Sequence, residues 1–222
     1  MNSVTPVNSL ASEDPIAVVD TRLVHEVHRV GTSLLAEAAA DPAVPPAALA
    51  RLRDFLVANV RHHHETEDEE LWPLLTAAAP EAASALDALS EEHRRLDKAL
   101  DALAAVALGD EGGAGEARLA LREAAVEVRD AVHGHLAAEE PVLLPALRER
   151  ITDAQWKDFS QRVIATTPPV AGHLMIGFLD EVGTPAEVET VLAGLPEPVR
   201  PLLDGMRTQA ADDLRTLRGT RP

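Results

Sequence analysis

Residues 63–73 read HHETEDEELWP, and residues 135–145 read HLAAEEPVLLP. The two stretches align without gaps, with a histidine at the first position, a glutamate four residues later, a leucine eight residues later and a proline ten residues later. Histidine and glutamate at this spacing project from one face of a helix, one turn apart. Each stretch can therefore present an imidazole and a carboxylate to one metal ion, so two copies indicate two metals or one centre with pseudo-two-fold symmetry.

The composition of the chain favours a helical fold without cysteine chemistry. Of its 222 residues, 46% are hydrophobic and only 2% are aromatic, with no tyrosine, so leucine, valine and alanine must fill the core. Such a core is typical of helices rather than of a β-sandwich or barrel. Because the chain has no cysteine, disulfides, iron–sulfur clusters and thiolate zinc sites are excluded, and any metal must be held by nitrogen and oxygen donors.

Charge and hydropathy limit the partners and the location that we expect. The formal net charge of −17 repels phosphate backbones, so we expect no nucleic-acid partner. No apolar run approaches the length of a membrane span, and the first 14 residues lack the basic and apolar segments of a signal peptide. We therefore expect a cytoplasmic protein with no membrane partner.

Helix-breaking residues divide the chain into a polar lead, a bundle and an extension. We predict that residues 1–13 are disordered, that residues 14–150 form the bundle, and that residues 151–222 form a helical C-terminal extension. Turns rich in proline or glycine separate the four predicted bundle helices, at about 14–40, 47–79, 80–108 and 116–150. Short connections between long helices make neighbours antiparallel, so we predict an all-α, up-down-up-down four-helix bundle.

Three prolines lie inside the predicted helices. Pro73, Pro141 and Pro145 each remove a helical hydrogen bond and are expected to kink or end the helix. Pro73 and Pro145 hold equivalent positions in the two aligned stretches, so we expect both helices to bend alike there.

Each predicted bundle helix interrupts its apolar stripe with a histidine, and two of these histidines are followed by a glutamate. Ionised carboxylates on a core-facing stripe are costly without a compensating charge, and no lysine or arginine lies on these stripes near the two stretches. A metal ion supplies that charge, and the set is typical of a dinuclear iron or manganese site. The predicted ligands are His28, His63, Glu67, His93, His135 and Glu139.

Several neighbouring residues compete for these positions. His64 adjoins a ligand position and can reach either a metal or an outer hydrogen-bond partner, so its role stays open. His25 lies on a mostly polar stripe, which favours His28, and the apolar stripe favours Glu139 over Glu140. Solvent-facing or structural roles are predicted for His62, Glu65, Asp68, Glu69, His133 and His173.

These residues resemble those of hemerythrin-like proteins with the HHE cation-binding domain. The resemblance covers residues 15–150 and rests on four patterns, which are Val27-His28-Arg29, His63 to Glu67 followed by Leu-Trp-Pro, Glu92-His93, and His135 to Glu139 followed by Leu-Leu-Pro. It implies a four-helix bundle with a non-haem di-iron centre that meets oxygen, nitric oxide or peroxide. The respiratory oxygen carriers of that family have a second histidine one turn after the first on their third helix, where this chain has Asp97. This difference favours the sensors, the iron-handling members and those that react with peroxide or nitric oxide.

The leading hypothesis from the resemblance is that the four predicted histidines bind two irons terminally. Glu67 and Glu139 bridge the irons together with an oxo or hydroxo group, and manganese or zinc can take the place of iron. A second hypothesis is a di-iron enzyme with catalase-like or oxygen-activating oxidase activity. A third concerns partners, because the extension, with its apolar run at 174–179, is a candidate surface for a homodimer.

Overall fold

The computed structural model describes residues 14–108 and 114–219, and its regular structure there is entirely helical, which confirms the all-α prediction. The predicted disordered lead lies outside the described residues. The bundle consists of α1 (Ile16–Ala38), α2 (Pro46–Thr66), α3 (Trp72–Ala78), α4 (Ala83–Ala104) and α5 (Ala114–Arg150). The extension consists of α6 (Asp153–Thr166), α7 (Gly172–Val182), α8 (Pro185–Leu192) and α9 (Leu203–Leu217).

The bundle has the predicted topology. Helix α1 packs against α2 and α5, and α4 packs against the same two helices, so the order around the bundle follows the order along the chain. Short connections make successive helices antiparallel. Helix α3 continues the direction of α2 and forms the end of the second bundle helix.

The two aligned stretches differ at their prolines. After α2, residues Glu67–Leu71 form a π-helical turn in which Trp72 N–H donates to the Glu67 carbonyl, and Pro73 follows in the first turn of α3. Helix α5 continues through Pro141 and Pro145 to Arg150. The prediction that the two helices bend alike at these prolines was therefore wrong, because only the first stretch leaves α-helical geometry. A wide turn just before a proline relaxes the crowding that its ring causes in a regular helix.

Two apolar clusters fill the bundle at either side of a polar layer. One cluster includes Leu71, Leu89 and Leu143, together with Trp156 and Phe159 of α6. The other includes bundle residues such as Val60, Leu96 and Val132, and side chains of α7 and α9. On each helix the histidines lie between residues of the first cluster and residues of the second, so the polar layer is enclosed by hydrocarbon.

The extension packs on the outside of the bundle, mainly through α7. The predicted apolar run at 174–179 is largely buried within the chain, and the Phe178 ring stacks on Phe55 with 6.0 Å between centroids. Gly177 lies so close to α9 that a Cβ there would come within 2.5 Å of the Ala210 Cβ. The homodimer through these helices stays a prediction. Among the described residues no helix is both long enough and apolar enough to cross a membrane.

Candidate metal centre

The polar layer brings all six predicted ligands together. Glu139 is fully buried, the least buried side chain of the six is His63 at 14% exposure, and each bundle helix contributes at least one residue. The structure adds two histidines that were not among the six. The complete layer consists of His25, His28, His63, His64, Glu67, His93, His135 and Glu139.

The two glutamates each divide their oxygens between two groups of histidines. Glu67 Oε1 lies 3.3 Å from His63 Nε2, and its Oε2 lies 3.6 Å from His93 Nε2. Glu139 Oε1 lies 3.7 Å from His25 Nε2, and its Oε2 lies 2.9 Å from His135 Nε2. We call the group around the two Oε1 atoms, with His25 and His63, subsite 1, and the group around the two Oε2 atoms, with His93 and His135, subsite 2.

Distances within each subsite fit a metal ion. One ligand atom from each of the four residues of a subsite lies within 4.8 Å of the others. Two imidazole nitrogens at about 2.1 Å from a metal and at right angles to each other are about 3.0 Å apart. His93 Nε2 and His135 Nε2 are 3.1 Å apart.

Lone pairs in the layer also lack partners. Several buried atoms of the layer have no hydrogen-bond partner among the described residues. They include Nε2 of His25, His28 and His63, Oε2 of Glu67, and Oε1 of Glu139. Buried polar atoms are almost always paired, because leaving them unpaired costs free energy. A cation bound between these lone pairs would satisfy them together, so the donor set fits a metal.

Burial sets the protonation of the layer. It lowers the pKa of the His28 and His63 imidazoles well below the usual range, and that of His93 to about 4, and neighbouring imidazoles act in the same direction. These rings are therefore neutral at pH 7, which is the form that binds metal. Burial and the adjacent Glu139 carboxylate raise the pKa of Glu67. Burial opposes ionisation of Glu139 as well, but the neighbouring imidazoles of His135 and His25 hold its pKa at about 2.

Carboxylates outside the layer hold two of the histidines by hydrogen bonds to Nδ1, and a third carboxylate lies close to another histidine. His25 Nδ1–H donates to Glu140 Oε1 at 3.0 Å, and His135 Nδ1–H donates to Glu92 Oε2 at 3.1 Å. Asp68 Oδ1 lies 3.1 Å from His93 Nδ1. A carboxylate on Nδ1 fixes the tautomer with its lone pair on Nε2, the nitrogen that faces the subsite. Asp68 was expected on a solvated face, but it is half-buried against His93.

The two added histidines were missed for different reasons. His25 lies on a stripe that looks solvent-exposed, but α5, α7 and α8 also cover α1, and the charges on that stripe are paired; Arg29, for example, donates to Glu140. The spacing of three residues between His25 and His28 was the available signal, since both can face one bundle core. The sequence does not decide the role of His64, and the structure buries its ring against that of His93.

The remaining histidines lie outside the layer. The His62 ring contacts the Thr166 hydroxyl, with 2.9 Å from Nε2 to Oγ1. His133 Nε2 lies 3.2 Å from the Arg29 carbonyl, and His173 Nε2 lies 2.8 Å from Asp213 Oδ2. Glu140 points away from the subsites toward His25 Nδ1 and Arg29.

Comparison with known protein families matches residues 19–147 to the hemerythrin HHE cation-binding domain. No curated protein and no solved structure matches the chain. The match covers more than half of the sequence and includes every residue of the histidine–glutamate layer. The chain therefore belongs to the hemerythrin HHE cation-binding domain family.

Proposed function

We propose that this protein is a non-haem di-iron protein that binds or senses oxygen, nitric oxide or peroxide, or that handles iron. The observation that supports it best is the division of the carboxylate oxygens, because Glu67 and Glu139 each face both subsites. Bridging carboxylates with terminal imidazoles are the donor set that a pair of iron ions takes in a helical bundle.

The residues have separate roles in this proposal. His25, His28 and His63 hold one iron, His93 and His135 hold the other, and the two glutamates hold both. When bound, the iron pair supplies a redox centre and a Lewis acid for a small ligand. Carboxylates on Nδ1 of His25 and His135 aim the inner nitrogens of these rings at the subsites.

Burial of the layer favours a small ligand over an organic substrate. Every side chain in the layer is at most 14% exposed, and apolar clusters lie on both sides of it. Neither the surface cavity near Trp72, of about 490 Å³, nor the one near Arg51, of about 610 Å³, is lined by a residue of the layer. A molecule of two to four atoms needs less space than a metabolite would.

Metal content after anaerobic loading with Fe(II) tests the proposal. We expect about two irons per chain in the wild-type protein and at most one in Glu67→Ala. Glu65→Ala is the matched control, because Glu65 lies two residues away and faces solvent. Full metal content in Glu67→Ala would contradict the proposal.

Exposure of the iron-loaded protein to each small molecule then separates the roles. A change of the optical spectrum with oxygen, nitric oxide or peroxide supports binding or sensing of that ligand. If no spectrum changes, iron handling is the supported role. Oxygen evolution from peroxide above that of free iron supports the catalase-like alternative.

A further inference from the structure

His64 follows a predicted ligand directly but lies with the other subsite. One nitrogen of its ring lies within 4.8 Å of nitrogens of both His93 and His135. Its ring is nearly parallel to that of His93, with 4.3 Å between centroids, and nearly perpendicular to that of His135 at 5.4 Å. His63, by contrast, groups with His25 and the two glutamates. Two consecutive residues of α2 therefore face different subsites.

Helix geometry accounts for this division. Successive residues of an α-helix are rotated by about 100°, so a residue four positions on is rotated by about 40° from the first. Viewed down α2, Glu67 therefore lies between His63 and His64. The carboxylate between the two rings can turn one oxygen toward each subsite, and its distances to His63 and His93 show that it does.

The surroundings of His64 are those of a ligand rather than of a packed core histidine. The side chain is 4% exposed, and its Nδ1 has no hydrogen-bond partner in the part of the chain that the structure describes. The nearest carboxylate oxygen to this atom, Asp97 Oδ1, is 3.9 Å away and is likewise buried and unpaired. His173 shows the contrasting case, since its ring is paired with Asp213 at 2.8 Å.

We propose that His64 is a third imidazole ligand of subsite 2. The inference rests on the proposed function, because it concerns the same pair of metals. Among the described residues, the one histidine that α4 contributes to subsite 2 is His93, and the one that α5 contributes is His135. His64 supplies the additional imidazole from α2, so that three helices converge on this metal.

The consequence is that the two metal positions are unequal. In subsite 2, one nitrogen from each of His64, His93 and His135 lies within 4.8 Å of the other two. In subsite 1 only His25 and His63 are grouped in this way, and the His28 ring lies beside them, with 4.9 Å between its centroid and that of His63. The three imidazoles of subsite 2 are grouped more closely than the three of subsite 1, so a metal in subsite 2 would exchange more slowly.

Chelator challenge of the metal-loaded protein tests the inference. Wild type loaded with two equivalents of Co(II) is mixed with EDTA, and the loss of metal is followed by its absorption. We expect a fast phase and a slow phase, with the slow phase at least tenfold faster in His64→Gln. His62→Gln should match wild type, because the His62 ring lies outside the layer and contacts Thr166.

The outcomes separate this inference from the proposed function. If wild type holds no metal, both fail. If wild type holds two metals and His64→Gln releases them within twofold of the wild-type rates, only the assignment of His64 fails. If the His64→Gln variant does not fold, the ¹⁵N chemical shift of the His64 ring in Zn(II)-loaded wild type decides instead. The resonance of a metal-bound nitrogen moves from its metal-free position. An unchanged shift would overturn the assignment.

Discussion

The two aligned stretches have the same spacing but different surroundings. In the first, burial and the Glu139 carboxylate raise the pKa of Glu67, which begins a π-helical turn. In the second, Glu139 lies 2.9 Å from His135 within an uninterrupted helix. Both place one oxygen in each subsite, so the spacing determines where a carboxylate points, whereas its neighbours determine its charge in the metal-free protein.

A further likeness is visible only in the structure. The residue after each inner glutamate is also acidic, and it supports an imidazole from a neighbouring helix. Asp68 lies behind His93 of subsite 2, and Glu140 lies behind His25 of subsite 1. The repeated unit is therefore a histidine, an inner carboxylate and an outer carboxylate.

The largest expected effect concerns the stability of the metal-free protein at pH 7. The pKa of Glu139 is depressed to about 2, so its charge stabilises the fold above its ordinary pKa of 4.5, and this contribution is lost as the pH falls toward 2. Glu139→Gln should therefore destabilise by on the order of 2–3 kcal/mol. The pKa of Glu67 is raised, so its ionisation opposes folding as the pH rises above 4.5, and Glu67→Gln should be neutral or stabilising.

Urea unfolding of both variants without metal checks this contrast. Equal destabilisation by the two substitutions would show that the difference in surroundings does not determine the charge.

The outer carboxylates should have the next largest effect, on metal affinity. Asp68→Asn and Glu140→Gln each weaken the orientation of one ring, so each should lower metal affinity by about 10–100-fold. Competition with a metal indicator measures this. Glu69→Gln is the control for the first stretch because Glu69 is exposed. A loss in the control as large as in Asp68→Asn would mean that total charge, rather than orientation, determines the affinity.

For each buried ring and each pH unit, the expected effect of acid is smaller. The pKa values of His28, His63 and His93 are lowered in the folded protein, so the unfolded chain binds more protons below its ordinary histidine pKa of 6.5. Stability of the metal-free protein should therefore fall as the pH drops below 6.5, by about 1.4 kcal/mol per pH unit for each ring that stays neutral. Thermal unfolding between pH 7.5 and about 5 measures the slope, and His63→Gln should reduce it. A slope unchanged in His63→Gln would contradict the burial of this ring.

The smallest effect concerns the two prolines. Pro145 lies inside a continuous α-helix, whereas Pro73 follows a π-helical turn in the first turn of α3. Both are exposed, so replacement changes little packing. Pro145→Ala should stabilise by about 1 kcal/mol and Pro73→Ala by less, since proline is tolerated in a first turn. An equal gain in the free energy of unfolding in both variants would show that the π-helical turn does not relieve the crowding caused by the Pro73 ring.

The sequence predicts the bundle and most of the layer because both depend on helical periodicity. Each of the histidines at 28, 63, 93 and 135 interrupts an apolar stripe. Helical periodicity alone predicts that these stripes face the common core of the bundle. His25 escapes this reasoning because its polar stripe becomes buried only when the extension and α5 cover α1. The π-helical turn and the role of Asp68 depend on contacts between helices that are distant in sequence, which a stripe does not encode.

X-ray absorption of the iron-loaded protein tests the central claim most directly, because it measures the distance between metals. If Glu67 and Glu139 hold two ions between the subsites, the spectrum contains iron–iron scattering at a distance below about 4 Å, the upper end of the usual separation in two-metal sites. Glu139→Ala should lose that scattering while Glu140→Gln keeps it. A spectrum of the wild-type protein with two irons per chain and no iron–iron scattering in this range would contradict the bridged centre.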